Sequence, residues 1–279
     1  MFSGRKIKLA LTVVILAAAL LAAGACGPKK PGETGLEPTA KSETAYLYFS
    51  DDQALFLVPE KREITYNGDL AVALVEELIE GPTQEGLWRT LPERSRVLSI
   101  KVEESIAYVD FSKEFETDYP GGSTAEGLAI GSVVQTLTEL EGIDAVWFLI
   151  EGAVVEALQK GHMTLNEAIP RNRMLGSIEI ESTETRNWQE LADKGKEKWR
   201  LDPVKAAQEQ GPLFGLYASG KYELLEKKEQ GEGSGAGEAL IRHTHKDEEY
   251  EMKMIQPEKQ GAEGIWIINS IERGSEAEG

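Results

Sequence analysis

His243 and His245 form the most chemically suggestive pattern in the sequence. Two imidazoles spaced two residues apart on a strand point to the same face, and the acidic run 247–249 follows shortly after them. Such a set can bind zinc or nickel through both imidazoles and one carboxylate. Polar residues on an exposed outer sheet face give the same pattern without a metal, and His162 is the only other histidine. We therefore predict no metal site, and metal binding by this pair stays open.

Asp110 and the pair Asp51–Asp52 are the other candidates for chemistry. Asp110 lies in AYVDFS, inside or at the end of a predicted strand, where an acid is unexpected and a catalytic carboxylate has to be considered. The alternative is that it leaves the sheet and accepts backbone N–H groups, as Asp does in turns, and we interpret all three residues in this way. The sequence also lacks a Gly-x-Ser-x-Gly elbow, a phosphate-binding loop and a dinucleotide fingerprint. It therefore predicts a protein that is not an enzyme and needs no cofactor.

Cys26 is the only cysteine in the chain of 279 residues. Arg5, Lys6 and Lys8 precede an uncharged apolar run over residues 9–25, which is the layout of a secretory signal. The small residues directly before the cysteine resemble the bacterial lipobox, so we predict that Cys26 carries a thioether-linked diacylglycerol after cleavage. This anchor would hold the protein at the extracytoplasmic face of the cell membrane. An uncleaved N-terminal helix and a plain secreted chain are the alternatives.

The charge of the cleaved chain limits its partners. The chain without residues 1–25 contains 27 Lys and Arg residues and 48 Asp and Glu residues, which gives a net charge of −21. Nucleic acid needs a basic binding surface, so we predict no nucleic-acid partner. An anionic membrane would also repel this chain, and the lipid would have to provide the attachment.

Composition and periodicity organise the chain into consecutive segments. They are a signal peptide 1–25, a flexible tether 26–44, a first folded domain 45–175, a linker or transition 176–198, a small C-terminal α+β domain 199–273 and a disordered tail 274–279. Both folded segments are long enough to bury an apolar core.

The first domain contains both helical and strand periodicity. Strands are predicted in AYLYFSDD and ALFLVPEKREI, a helix in GDLAVALVEELIEGP, a hairpin in VLSIKVEESIAYVDFSKEF, a helix beginning near Ser123 and a strand in AVWFLIEG. In the hairpin, Leu98, Ile100 and Val102 would share one face. This order predicts a two-layer α+β unit in which both helices cover one face of a mixed or antiparallel sheet. The open face would be available to another protein.

The C-terminal domain is predicted to begin with a short helix. Asp202 can cap this helix and Pro203 suits its first position. Strands are predicted over residues 222–227, 238–244, 250–256 and 265–272.

Four stretches of the first domain together resemble one family. LVPEKREI, ELIEGP, LPERSRVLSIKVEESIAYVDFSKEF and VVQTLTELEGIDAVWFLIEG are similar, in this order, to the sporulation and spore germination domain called GerMN, found in lipoproteins of endospore-forming bacteria. The resemblance covers about residues 45–173. It implies an extracytoplasmic domain akin to ring-building motifs, which acts as a structural or assembly element between mother cell and forespore. It implies no catalytic residues, and the hairpin turn at Glu104–Ser105 lacks the glycine that members of the family often have.

The sequence therefore predicts a lipid-anchored structural or assembly protein of sporulation or spore germination that acts through protein contacts. Its expected partners are the membrane, through Cys26, and sporulation membrane-complex proteins, while a homo-oligomer or ring stays open against a monomer. The alternative is a ligand-binding or cell-wall-glycan-binding sensory lipoprotein, because Trp147, Trp199 and Trp266 could stack on sugars. Core packing explains these three residues equally well. A hydrolase would need clustered carboxylates or histidines in a cleft.

Overall fold

The computed structural model describes residues 40–119, 121–158, 162–228 and 237–274. All of these residues belong to one compact unit, Pro38–Gly279. Within the described ranges, no helix is long and apolar enough to cross a membrane. The predicted signal peptide, Cys26 and the tether up to residue 39 lie outside the described residues, as do residues 275–279 of the predicted tail.

The region predicted as the first folded domain alternates strands and helices. Its elements are β1 (Lys41–Asp51), β2 (Leu57–Tyr66), α1 (Leu70–Glu80), β3 (Leu87–Trp88), β4 (Val97–Glu103), β5 (Ile106–Phe111), α2 (Glu114–Thr117), α3 (Ser123–Thr138), β6 (Ala145–Ile150), β7 (Ala153–Val154) and β8 (Ile169–Pro170). The five long strands β1, β2, β4, β5 and β6 and the two long helices α1 and α3 lie in the predicted segments, whereas the short strands β3, β7 and β8 and helix α2 were not predicted.

These strands form two sheets. The first is antiparallel with the order β2-β1-β3, and the second has the order β4-β5-β6-β7, with β8 pairing with β6. Strands β5 and β6 are parallel while the other pairs of the second sheet are antiparallel, so this sheet is mixed. Helices α1 and α3 pack against both sheets around one apolar core. The predicted α+β class is confirmed.

The first hairpin differs from the prediction of a single sheet, because α3 lies along the edge of β1. Ser132 Oγ donates to the Tyr48 carbonyl oxygen (2.6 Å), and the Tyr48 N–H donates to Thr136 Oγ1 (3.1 Å). Strand β3 pairs only with Ser50 and Asp51 at the end of β1. Two helix hydroxyl groups thus take the place of a partner strand, and β1 and β2 remain outside the mixed sheet. Isolated hydroxyl groups on a helix give no sequence pattern that predicts this contact.

Helix α1 follows the predicted apolar spacing. The Asp69 carboxylate caps its first turn by accepting the Ala71 N–H (2.8 Å). Leu74 and Leu78 are fully buried in the core. The helix ends where Gly81 takes a φ of 95°, a conformation that favours glycine.

The β4–β5 hairpin turns through Glu104 and Ser105. Both residues have left-handed backbone angles, with φ of 50° and 61°. Two-residue turns of this kind usually contain glycine or asparagine, because other side chains are strained there. The chain therefore makes the turn despite lacking the glycine noted in the sequence comparison with the family.

Leu98 does not share a face with Ile100 and Val102 as predicted. A bulge between Val97 and Ser99 makes Leu98 an extra residue in β4. Val97 and Ile100 pack against the core, whereas Leu98 is 46% exposed. The predicted alternation is wrong here because a bulge shifts the pairing by one residue without a glycine or proline to mark it.

Strand β1 begins at Lys41, before the predicted start at Ala45. Its first residues pair with the end of β2, where Lys41 lies opposite Tyr66, but their side chains are exposed. The predicted tether is therefore shorter than 26–44. Exposed polar residues carry no apolar alternation, so the outer end of this hairpin could not be predicted.

The C-terminal region is a five-stranded antiparallel sheet with helices packed against it. Its elements are β9 (Gly176–Ser177), α4 (Ser182–Asp193), α5 (Pro203–Gln210), β10 (Lys221–Lys228), β11 (Glu238–His245), β12 (Glu248–Ile255) and β13 (Ile267–Arg273), with 3₁₀ turns at Lys198–Leu201, Gly211–Phe214 and Gly261–Glu263. The strand order is β10-β11-β12-β13-β9. Asp202 caps α5 by accepting the Lys205 N–H (2.9 Å), as predicted. The four predicted strands are present, and this region has its own apolar clusters.

Helix α4 lies in the segment 176–198, which the sequence predicts to be a linker or transition. Its buried face is formed by Thr185, Gln189 and Ala192. Gln189 donates to the Glu263 carbonyl oxygen (2.8 Å) and accepts the Ile265 N–H (3.2 Å). Only Trp188, Leu191 and Ala192 of its twelve residues are apolar, too few to show in the sequence the apolar spacing that identifies helices. The domain boundary that we place in this segment remains a prediction.

Candidate interaction surface and buried polar network

The mixed sheet has one face toward the core and one face that no helix of the described chain covers. Alternate residues of β5 and β6, such as Val109 and Phe148, are fully buried beneath the helices. The residues between them, Tyr108 and Trp147 among them, are half-buried on the opposite face. The Tyr108 and Trp147 rings stack with centroids 5.6 Å apart and planes inclined by 20°. We call the face that carries these two rings the open sheet face.

The edge of the open sheet face is polar. Strand β4 is the terminal strand of the sheet, and its Lys101 lies opposite Tyr108. On the same side of β4, Ser99 lies opposite Asp110. Trp147 Nε1 is buried and has no hydrogen-bond partner among the described residues. The open sheet face therefore has an aromatic centre and a polar rim.

Asp110 and Asp51 accept backbone N–H groups, as the sequence predicts. Asp110 Oδ1 accepts the Gly152 N–H (2.8 Å), which fixes the turn after β6. Asp51 Oδ1 accepts the N–H groups of Leu55 (2.7 Å) and Phe56 (3.0 Å) in the β1–β2 turn. Their carboxylates therefore stabilise turns.

His243 and His245 lie on one face of β11, and both stack against Tyr217. The ring centroids of His245 and Tyr217 are 3.9 Å apart, and His243 Nε2 donates to the Tyr217 carbonyl oxygen (3.1 Å). His243 is fully buried, so its interpretation as an exposed residue of an outer sheet face is wrong. Burial lowers the pKa of His243 to about 4, which makes the imidazole neutral at pH 7.

A metal ion bound by this pair would need a third ligand, and none lies beside the two imidazoles among the described residues. The described residues contain no group of three or more His, Cys, Asp or Glu side chains arranged to hold a metal ion. Within the acidic run that follows the histidines, Glu248 pairs with Arg173, and Glu249 pairs with Arg242. These contacts give both carboxylates a structural role.

The tryptophans that could stack on sugars lie in three separate places. Trp266 is buried in the C-terminal core, and Trp147 is on the open sheet face. Trp199 is half-buried and packs against the Arg200 guanidinium, 4.1 Å from its ring centroid. The structure therefore does not bring the three indoles together into one sugar-stacking platform.

Arg171 is the centre of a polar network that the sequence analysis missed. Its side chain is completely buried, and its guanidinium donates to Tyr48 Oη (2.6 Å) and Glu139 Oε1 (2.9 Å). It also donates to the carbonyl oxygens of Gly215 (2.8 Å) and Leu216 (3.0 Å) in the C-terminal region. A buried charge needs such partners, because desolvation otherwise makes it very unfavourable. Here the partners come from both the region predicted as the first domain and the C-terminal region.

Glu139 completes the network at the end of α3. Its carboxylate accepts the Tyr48 hydroxyl (2.5 Å), the Ala218 N–H (3.0 Å) and the Ser219 N–H (3.1 Å). Burial alone would raise the pKa of Glu139, but Arg171 and then the hydrogen bonds from Ser219 and Tyr48 outweigh it and lower the pKa. The Glu139 carboxylate therefore remains charged and holds loop 217–220.

Lys246 makes a second polar link between the two regions. It lies in the β11–β12 turn, and its ammonium group donates to the carbonyl oxygen of Thr138 (3.1 Å), the last residue of α3, and to that of Ile143 (2.7 Å) in the segment after the helix. A cation is stabilised there because the carbonyl end of a helix is negative. Nothing in the sequence near Lys246 or Arg171 indicates these contacts, which join residues distant along the chain.

Comparisons with known proteins identify the region that carries the open sheet face. A family model described as Germane, sporulation and spore germination, matches residues 46–181. The chain therefore contains a GerMN-type domain of this sporulation and germination family, as the resemblance predicted. A search of curated protein sequences found no significant match.

Two solved structures of the sporulation protein GerM from Bacillus subtilis are similar to this chain. The structure of its tandem GerMN domains has 22% sequence identity and a TM-score of 0.43, and the match covers 51% of this chain and 52% of that one. The structure of its first GerMN domain has 24% identity and a TM-score of 0.42, with 46% of this chain and 98% of that one covered. This chain thus matches about half the length of the tandem-domain structure.

Proposed function

We propose that this protein is a lipid-anchored, extracytoplasmic structural or assembly protein of sporulation or spore germination, and that it acts through protein contacts. The observation that carries the proposal is the family match over residues 46–181, the segment that forms the open sheet face. A sporulation domain with an uncovered aromatic face suits an assembly role.

The sequence before the described residues supports membrane anchoring. Cys26 follows a basic segment and an apolar run, and the small residues before it suit cleavage and lipidation. The net charge of −21 without residues 1–25 opposes electrostatic attachment to an anionic bilayer. The diacylglycerol on Cys26 would therefore confine the protein to the membrane, and the tether would set its reach.

The open sheet face is the surface that we assign to the assembly partner. Tyr108 and Trp147 provide a rigid aromatic centre, and aromatic residues contribute strongly to binding when water is excluded around them. The free edge of β4 offers a second mode, in which a partner strand extends the sheet.

We propose no catalytic activity. Glu139 and His243, two buried groups with displaced pKa values, are hydrogen-bonded to Arg171 and to loop 217–220. The buried Glu60 carboxylate, whose pKa is also lowered, is hydrogen-bonded to Arg62, Thr83 and Gln84. Such ion-pair networks displace pKa values without catalysis. The role of the network around Arg171 is to attach residues 215–219 of the C-terminal region to Arg171 and Glu139.

Site-specific photo-crosslinking in the source cells tests the proposal. A photo-reactive amino acid at Lys101, on the rim of the open sheet face, should capture sporulation membrane proteins in sporulating cells and not in growing cells. The matched control is the same amino acid at Lys61, an exposed lysine of β2. Equal capture from both positions, or no protein capture in either state, would contradict the assembly role.

The anchor is tested separately by Cys26→Ser. We expect this variant to leave the membrane fraction and appear in the soluble extracytoplasmic fraction, while the parent protein is extracted only by detergent. Unchanged membrane fractionation would show that lipidation at Cys26 is wrong.

A further inference from the structure

A groove of about 590 Å³ lies between the β1–β2 turn and the C-terminal region. It is separate from the open sheet face. Its apolar wall is formed by Leu55, Phe56, Met174, Leu175, Leu213 and Phe214. Leu55 is 65% exposed and Met174 is 54% exposed, although both are large apolar side chains. Adjacent exposed apolar side chains in a concave site indicate an interaction surface.

Arg200 lines the groove and supplies an unused donor. Its guanidinium lies over the rings of Trp188 and Trp199, 4.3 Å and 4.1 Å from their centroids. The side chain is only 10% exposed, and its Nε donates to Glu197 Oε2 (2.6 Å). Nη1 has no hydrogen-bond partner among the described residues. A buried donor without a partner is unfavourable, so an acceptor brought by a ligand would relieve this site.

The rim of the groove is acidic. Asp51, Glu179, Glu184 and Glu209 line it, and Arg200 is the only basic residue among the described residues that do so. This excess of carboxylates repels anionic ligands and attracts cationic ones. The acceptor for Arg200 should therefore be a neutral carbonyl oxygen, carried by a ligand with positive side groups.

The free edge of β9 favours an extended backbone in the groove. Strand β9 is terminal in its sheet and pairs only with β13, where the Ile178 N–H donates to the Asn269 carbonyl oxygen (2.8 Å). Successive residues of an antiparallel strand direct their backbone groups to opposite edges, so those of Ser177 are directed away from β13. Ser177 lines the groove. A peptide can pair with such an edge.

We propose that this groove binds an extended segment of a protein partner in which basic and apolar side chains alternate. The segment pairs with β9, its apolar side chains contact Leu55 and Phe56, and its Lys or Arg side chains face the acidic rim. A backbone carbonyl oxygen accepts from Arg200. This inference goes beyond the proposed function, because it concerns a different surface and does not depend on the open sheet face.

A glycan suits the groove less well. Sugar rings bind to free aromatic faces, but one face of Trp188 and one face of Trp199 already contact the Arg200 guanidinium. Phe56 likewise packs edge to face against Phe214, with centroids 6.4 Å apart. The aromatic side chains of this groove are therefore partly occupied by one another and by Arg200.

Binding of synthetic peptides to the purified full-length chain tests the proposal. The probes are a peptide that alternates Lys and Val, one that alternates Glu and Val, and one that alternates Lys and Ser, with calorimetry as the readout. We expect binding of the Lys–Val peptide only. Glu184→Lys should weaken it about three- to fivefold, as expected for the loss of an exposed charge contact.

Matched variants distinguish binding at the groove from a general effect of the protein's net charge. Glu190→Lys makes the same change on an exposed part of α4 outside the groove, and it should leave binding unchanged. Leu55→Ser should weaken binding of the Lys–Val peptide. Leu98→Ser, the same substitution at an exposed leucine of β4 outside the groove, should leave binding unchanged. These variants change surface residues and avoid the buried Arg200.

Three outcomes would overturn the proposal. They are equal binding of the Lys–Val and Glu–Val peptides, equal effects of Glu184→Lys and Glu190→Lys, and binding of a chitin oligosaccharide by a chain that binds none of the peptides. Since the experiment uses purified protein, its result is independent of crosslinking from Lys101 in sporulating cells. Either proposal can therefore fail while the other stands.

Discussion

Arg171 and Arg200 are two guanidinium groups that lie almost wholly out of solvent, but their surroundings differ. Arg171 is completely buried, and its guanidinium donates hydrogen bonds to Tyr48, to Glu139 and to backbone carbonyl oxygens. The Arg200 guanidinium lies over the rings of Trp188 and Trp199, and its Nη1 has no hydrogen-bond partner among the described residues. One arginine completes the fold, and the other lines a groove.

The pKa values of the two groups follow this difference. Burial by itself lowers the pKa of Arg171, but Tyr48 and Glu139 outweigh it and raise the pKa above the ordinary value. Burial also lowers the pKa of Arg200, and there Glu197 compensates only in part. A buried charge therefore stabilises this structure only where its partners offset desolvation. The comparison teaches that equal burial of two arginines does not mean an equal structural role.

The largest effect is expected from Arg171→Met. This variant leaves the Glu139 carboxylate buried without its cation, and breaking a buried pair in this way lowers the free energy of unfolding by about 3–5 kcal/mol. Urea denaturation measures the loss. Arg94→Met is the control, since Arg94 pairs with Asp118 at the surface and should matter little. Similar stability of the two variants would contradict the structural role of Arg171.

A second effect on stability depends on pH and comes from His243. A buried histidine can give up its proton and become neutral, whereas an arginine stays charged. Its folded pKa of about 4 lies below the ordinary value of 6.5, so the unfolded chain binds more protons between these values. Stability is therefore fully present above pH 6.5 and falls as the pH decreases toward 4. We expect a loss of about 2 kcal/mol between pH 7.5 and pH 5.

Urea denaturation as a function of pH checks this expectation. His243→Phe should flatten the slope between pH 6.5 and pH 5 relative to the parent chain. The Glu139 carboxylate, whose pKa is lowered from 4.5, contributes to the loss only at lower pH. An unchanged slope in His243→Phe would show that His243 is not held neutral by the fold.

A smaller effect is expected from Lys246→Met. The variant removes the ammonium group that binds the carbonyl oxygens of Thr138 and Ile143, so the free energy of unfolding should fall by about 1–2 kcal/mol. Thermal denaturation measures the change. Lys194→Met, at an exposed lysine that ends α4, is the matched control and should have the smaller effect. The reverse order would contradict the link that we assign to Lys246.

The sequence predicts the elements of this fold better than their connections. Helix α1 and strands β5 and β6 were predictable because their apolar residues recur at helical or strand spacing and face one core. Helix α4 was not predictable, since Thr185 and Gln189 form its buried face. The bulge at Leu98 likewise has no sequence signal.

The polar network and the groove could not be predicted from local patterns. Arg171 and Tyr48 are 123 residues apart in the chain, and only the tertiary structure brings them together. The burial of His243 did have a signal: it continues the alternation of Ala239 and Ile241, both buried, along β11. That alternation predicts an inward-facing imidazole, which the metal hypothesis overlooked.

The smallest effect on stability is expected from Arg200→Met, and this variant sharpens the comparison with Arg171. Methionine loses the stacking on Trp188 and Trp199, but it removes a buried donor that has no partner among the described residues, so we expect a change within about 1 kcal/mol. Lysine should be worse than methionine at position 200, because it keeps the desolvated charge and cannot stack as a planar group. At position 171 lysine should be better than methionine, because it keeps a charge opposite Glu139. Urea denaturation of Arg171→Met, Arg171→Lys, Arg200→Met and Arg200→Lys measures their free energies of unfolding. If lysine and methionine rank in the same order of stability at both positions, the distinction between the two buried arginines is refuted.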